Sequence, residues 1–177
     1  MTTNLGSATA DDNGVFSITS STLTDGTYSL TATATDSAGN ISSSSAPFTL
    51  QVGLTDFEAL NYIASHEDLI NALSTDITAA KSHYTNYGNS EGRSLDNFDE
   101  WGYLASNIDL MKAFGSNTTK ALKHYINFGK SEGRSINSFN AESYLNNNSD
   151  LRNAFGNNHD SAIKHFVEFG FNEGREF

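Results

Sequence analysis

Three histidines, His83, His124 and His165, stand at a fixed step of 41 residues. One imidazole per step could ligate a metal or haem. A metal site, however, needs ligands converging on one point. Side chains related by a repeat point the same way without meeting, and no His-x-x-x-His or Cys accompanies them. The sequence therefore favours packed rings whose N–H bonds to a carbonyl or to a nearby carboxylate. His66 and His159 lack counterparts at this step and are expected on the surface.

The same step carries Glu91-Gly92-Arg93, Glu132-Gly133-Arg134 and Glu173-Gly174-Arg175. Arg93, Arg134 and Arg175 could hold an anionic sugar. The favoured expectation is structural: the glycine makes a turn, and Glu and Arg staple adjacent helices with bidentate geometry. Trp101 stands where the other steps have Leu60 and Glu142. It is either a stacking platform for a sugar or, the favoured expectation, a partly buried gap-filler. Asp11, Asp12 and Asp36, with Asp25, Asn13 and Asn40, fall at expected strand ends, where carboxylate and carbonyl oxygens suit calcium. Nothing matches an EF-hand loop, and calcium is the one cofactor the sequence leaves open. No nucleophile elbow, P-loop, zinc signature or dinucleotide fingerprint is present. The chain reads as a non-enzyme.

The elements that carry these residues recur with them. Eleven positions repeat three times without insertion: the Phe57, Tyr62, Asp68, Leu69, Ala72, Ala80, His83, Gly88, Glu91, Gly92 and Arg93 sets. A period in this range means a tandem array of supersecondary units. Arrays present surfaces more often than single catalytic centres. The repeats span 54–94, 95–135 and 136–177.

Each repeat predicts three short helices. The first follows Asp56 as N-cap. The second opens with Ser65-x-x-Asp68, Ser106-x-x-Asp109 or Asn147-x-x-Asp150, the spacing of a capping box with an acid in the first turn. Its apolar face is Leu69, Ala72 and Leu73. The third buries Ala80, Tyr84 and Tyr87 and stops at Gly88 as a left-handed cap.

Residues 1–53 differ in chemistry. They contain four Asp and no Lys or Arg, and all 10 basic residues follow Gly53. Phe16 and Ile18, then Tyr28, Leu30, Ala32 and Ala34, then Phe48, Leu50 and Val52 alternate with polar residues, the period of half-buried antiparallel strands. Strands are expected over 4–10, 14–19, 27–36 and 47–52. The turns are Asp12-Asn13-Gly14, Asp25-Gly26 and Ala38-Gly39-Asn40. The domain boundary is placed at Gly53-Leu54. The fold class is mixed, β then α.

Asp25-Gly26-Thr27-Tyr28-Ser29-Leu30-Thr31-Ala32-Thr33-Ala34-Thr35-Asp36, followed by Ala38-Gly39-Asn40-Ile41-Ser42, resembles the last hairpin of bacterial Ig-like repeats. Those repeats build the stalks of secreted and surface adhesins. The resemblance covers residues 4–52 and implies an extracellular or cell-surface protein. A complete Ig-like sandwich needs about 100 residues and seven strands, so the match is to its later half. The pattern His-[Tyr/Phe]-x-x-[Tyr/Phe]-Gly-x-x-Glu-Gly-Arg resembles a helical repeat of bacterial secreted proteins that also occurs beside glycosyltransferases. It implies a setting and no particular chemistry.

Composition bounds the partners. The formal net charge of −11 disfavours nucleic acid and anionic membranes, which need basic patches. There is no cysteine, hence no disulfide. No apolar run reaches the length of a membrane-spanning helix. Met1-Thr2-Thr3-Asn4 shows neither the basic nor the apolar region of a signal peptide. The leading expectation is adhesion or recognition, with the repeats facing a glycan or a protein. The rivals are a self-assembling spacer and a module that locates an enzyme such as a glycosyltransferase. An uncovered apolar face on the strands also predicts a homodimer through residues 1–52.

Overall fold

The computed structural model describes residues 4–177. The chain divides into two compact units, residues 1–55 and 56–177.

In the first unit, β1 (Gly26–Leu30) pairs antiparallel with β2 (Phe48–Val52). Tyr28 faces Leu50 and Leu30 faces Phe48. The hairpin continues past β1 without a regular ladder. The Ser42 and Ser45 backbone amides donate to the carbonyls of Ala34 and Ala32 at 2.9 and 2.8 Å. The amides of Ala34 and Ala32 turn instead to the hydroxyls of the same serines at 2.9 and 3.0 Å. Serine oxygens thus take the place of carbonyl acceptors, and the expected strand over 27–36 stops early. An isolated bridge joins Thr35 to Ile41.

The expected strands over 4–10 and 14–19 do not form; among the described residues the sheet has two strands, not the two layers of a sandwich. Val15, Phe16 and Ile18 are exposed and have no second sheet to pack on. What forms between the two stretches is a turn. The Asp11 carboxylate accepts from the amides of Asn13 and Val15 at 2.9 and 2.8 Å, with Gly14 at φ 78°. The Asp36 turn copies it: the carboxylate accepts from the amides of Ala38 and Asn40 at 2.9 and 2.8 Å, with Gly39 at φ 90°.

The second unit consists of three copies of one motif. Helices α1 (Asp56–Ala64), α2 (Glu67–Leu73) and α3 (Ile77–His83) form the first. Helices α4 (Glu100–Ser106), α5 (Ile108–Phe114) and α6 (Thr118–His124) form the second. Helices α7 (Ala141–Asn147), α8 (Ser149–Phe155) and α9 (His159–His165) form the third. Each third helix starts on a short polar cap. Asp76, Asn117 and Asn158 accept from the amide three residues on at 2.9, 2.9 and 3.0 Å. Such caps satisfy amides the helix itself leaves unpaired.

The third helices end at the expected glycine, but not by the expected device. Each runs on into a π-helical turn, Tyr84–Gly88, Tyr125–Gly129 or Phe166–Gly170. Gly88 is therefore not a left-handed cap; the positive φ falls at Gly92, Gly133 and Gly174, at 69°, 67° and 68°. The widened turn carries Tyr87 off the apolar stripe begun by Ala80 and Tyr84, because a π turn takes more residues than an α turn. Tyr87 and its equivalents are exposed rather than buried.

The capping box also resolves differently. The second helices are preceded by His66, Asn107 and Asn148, none of which caps with its side chain. The Ser65 hydroxyl reaches across to the next repeat and accepts from the amides of Asn97 and Phe98 at 2.9 and 3.1 Å. Ser106 accepts from Ser138 and Phe139 at 2.8 and 3.3 Å. Helix α1 packs on α6 and α4 on α9, so neighbouring repeats interlock with the same offset. One continuous core results, with Tyr62, Tyr103, Tyr144 and Phe166 as its largest fully buried side chains.

Candidate functional site

Each repeat builds the same tyrosine–histidine contact at this core. The Tyr62 hydroxyl lies 2.9 Å from His83 Nδ1. Tyr103 with His124 and Tyr144 with His165 repeat that distance. The partner of each histidine is thus a phenol, not the carbonyl or carboxylate expected from sequence. Burial raises the pKa of Tyr62 and pushes those of Tyr103 and Tyr144 up to about 12. These phenols keep their hydrogen, and no other acceptor meets them among the described residues. Each hydroxyl therefore donates to Nδ1. In the neutral imidazole, that leaves the ring hydrogen on Nε2.

The glycine that follows makes the contact fit. A Cβ on Gly88, Gly129 or Gly170 would sit 2.1, 2.1 or 2.0 Å from the tyrosine oxygen. Glycine is present for close approach, not for backbone conformation. Beyond it, each half-buried imidazole supports an outer ring. His83 to Tyr87 is 5.7 Å between centroids; His124 to Phe128 and His165 to Phe169 are 5.6 Å. These outer rings are 59%, 56% and 53% exposed. They and Phe177 are the exposed large hydrophobic residues among the described residues of the repeat unit.

The arginines are structural in geometry. Arg93 Nε donates to Glu91 at 2.6 Å and its terminal nitrogen pairs with Asp68 at 2.8 Å. Arg134 pairs with Glu132 and Asp109 at 2.6 and 2.8 Å, and Arg175 with Glu173 and Asp150 at 2.6 and 2.9 Å. Each guanidinium joins the closing turn to the first turn of the second helix, where an acid also suits the helix dipole. The Arg175 hydrogen bond holds the Asp150 carboxyl below its ordinary range. For Asp68 and Asp109, desolvation opposes the arginine and the net shift is still downward.

Trp101 is partly buried at the rim of the core, and the Lys164 ammonium lies 5.3 Å over its ring. A cleft of about 550 Å³ opens beside the pair, lined by Asp96, Asp99, Glu100 and Asp160. Burial, more than any neighbouring charge, raises the Glu100 pKa.

His66 is not a free surface residue. Its Nε2–H donates to the Ser94 carbonyl at 2.8 Å. In the other repeats Asn107 and Asn148 make that bond, to Ser135 and Glu176 at 2.8 and 2.9 Å. Aligning the three positions across the 41-residue step would have revealed the shared role. His159 is exposed and lies 3.1 Å from Glu142.

The aspartates singled out for calcium lie apart in role. Asp11 and Asp36 direct their carboxylates to their own turns, and the Asn40 side-chain amide lowers the Asp36 pKa. Asp12 is exposed. Among the described residues no three His, Cys, Asp or Glu side chains group as metal ligands do. No helix there is long and apolar enough to cross a membrane.

Searches among curated proteins and among solved structures found no match. The sequence-family comparison did: residues 1–52 match the model of the bacterial Ig-like domain.

Proposed function

We propose that the chain is a non-enzymatic recognition module of a bacterial secreted or cell-surface protein, and that its helical repeats form the binding surface. One observation carries this reading. The same aromatic position is exposed in all three repeats, while its buried neighbours are packed and hydrogen-bonded. Repeated exposure of a costly residue on a regular array is how such proteins meet extended ligands. The bacterial Ig-like match over residues 1–52 supports a surface or adhesin-like setting. The ligand is a glycan or a protein surface, and no cofactor is required. Probing glycan and matrix-protein arrays with the labelled chain tests the reading. Saturable binding is expected, and silence on both arrays contradicts it.

A second reading is self-association through residues 1–52. It is favoured by the exposure of Val15, Phe16, Ile18, Ile41 and Phe48 in a unit whose sheet has two strands among the described residues. Sedimentation at micromolar concentration tests it. A dimer that persists in a chain lacking residues 56–177 supports it, and a strict monomer rejects it.

A further inference from the structure

We propose that Tyr87, Phe128 and Phe169, each beside the outward Nε2–H of His83, His124 and His165, form three equivalent subsites for one neutral, linear polysaccharide chain. The proposal rests on the recognition reading above and names its ligand class and its contacts.

A sugar ring offers an apolar C–H face and a rim of hydroxyls. It binds where a flat ring and a hydrogen-bond donor stand side by side. Each repeat supplies both, at centroid separations of 5.6 to 5.7 Å. The donor is held in place from behind, since Nδ1 is tied to a buried tyrosine at 2.9 Å in every repeat. The backbone beneath the outer ring is held as well. The Ser90 and Ser131 hydroxyls donate to the carbonyls of Tyr87 and Phe128 at 2.8 Å. A site ordered before binding loses little conformational entropy when it binds.

The surroundings select the occupant. A protein partner needs a contiguous apolar core to its interface. Here the first two repeats each offer one ring, flanked by exposed polar residues such as Asn86, Asn89, Asn127 and Lys130, and the third adds only Phe177 to Phe169. Polyanions, nucleic acid and acidic glycans alike, meet a net charge of −11. Arg93, Arg134 and Arg175 would be their natural contacts, but each already holds two carboxylates. A polymer of repeating neutral sugars matches three equivalent subsites. Joining the contacts in one chain raises avidity by about 10²-fold or more without a new contact.

The test is affinity electrophoresis of the full chain through gels containing laminarin, mannan, amylose or xyloglucan, with alginate and hyaluronan as anionic counterparts. Retardation by at least one neutral polymer is expected. The tetrasaccharide of that polymer should compete about 100-fold more weakly than the polymer itself. Phe128→Ala should weaken binding about tenfold, equivalent to one good contact. Phe128→Leu should lose as much, because it keeps apolar bulk and loses the flat ring, and Phe128→Tyr should retain binding. Replacing Tyr87, Phe128 and Phe169 together by Ala should abolish retardation while leaving the circular dichroism spectrum unchanged. Retardation only by alginate or hyaluronan overturns the proposal, as does equal competition by the tetrasaccharide. So does a fall in concentration-dependent mass on removing the rings, which would assign the face to a second copy. Neutral-polymer binding that survives loss of all three rings overturns these subsites alone. No binding to any glycan, together with none to matrix proteins, overturns the recognition reading as well.

Discussion

The Tyr103 hydroxyl meets His124 Nδ1 at 2.9 Å, and it can do so only because residue 129 has no side chain to occupy the same space. Gly129→Ala would place a methyl group 2.1 Å from that oxygen. Overpacking of this kind costs about 3 kcal/mol. Gly133→Ala, where nothing lies within 4 Å of the new carbon, tests backbone strain alone at φ 67°. Urea denaturation should rank Gly129→Ala as the more damaging change. Equal losses would mean that the close approach does not matter.

Tyr103→Phe removes the hydrogen bond and keeps the ring. The expected loss is about 1 kcal/mol. Tyr125→Ala should cost more, roughly 3 kcal/mol, because a large core truncation also leaves a cavity. Tyr125 is buried, with its ring 4.2 Å from Phe98 and 5.3 Å from Tyr103. Thermal unfolding checks both. An unchanged melting temperature for Tyr125→Ala would place that ring outside the core.

Much of this architecture is legible in the sequence. The gap-free 41-residue step announces three equal units, and their helical periods correspond to α1 to α3, α4 to α6 and α7 to α9. The turn glycines and the arginine pairs also follow from residue type. What local pattern misses is the π turn. It advances the register of Tyr87, Phe128 and Phe169 and converts an expected core stripe into an exposed one. Gly88 was ambiguous for a related reason. Glycine marks either a left-handed cap or a close contact, and only the distant Tyr62 decides between them. Ser65 likewise has the spacing of a capping box, yet its bonds go to residues 32 and 33 positions later. In the first unit, alternation alone implies strands at 4–10 and 14–19, but strands need partners, and among the described residues none pairs with them.

Acid should act on two groups of carboxyls with opposite signs. The folded-state pKa of Asp68, Asp109 and Asp150 is lowered, so their contribution is present above the ordinary aspartate range and is lost as pH falls below it, through the lowered folded values. Glu100 is raised, so its contribution is present at low pH and is lost as pH rises through its folded value. Glu100→Gln should therefore stabilise the array at neutral pH relative to the parent and lose that advantage near pH 4. Asp150→Asn should destabilise at neutral pH and approach the parent only as pH falls below the ordinary aspartate range. Urea midpoints across that range decide. Parallel pH profiles for the two variants would contradict the assignment.

Alkali provides an independent check on the buried phenols. Raised pKa values for Tyr103 and Tyr144, about 12 in each case, keep their stabilising contribution intact below pH 10. It is lost as pH climbs toward 12. Ultraviolet titration should show tyrosinate from these residues forming together with unfolding. Ionisation at the ordinary value, with the helices intact, would mean that the rings are solvated.

The most direct test of the account is nitrogen-detected NMR of the imidazoles, with and without the retarding polysaccharide. His83, His124 and His165 should all show a proton on Nε2 and an acceptor at Nδ1, and all three should shift on addition of the polymer while His159 does not. A proton on Nδ1 in these rings, or three resonances indifferent to a polymer that binds, would contradict the claim that the repeats present one recognition unit three times.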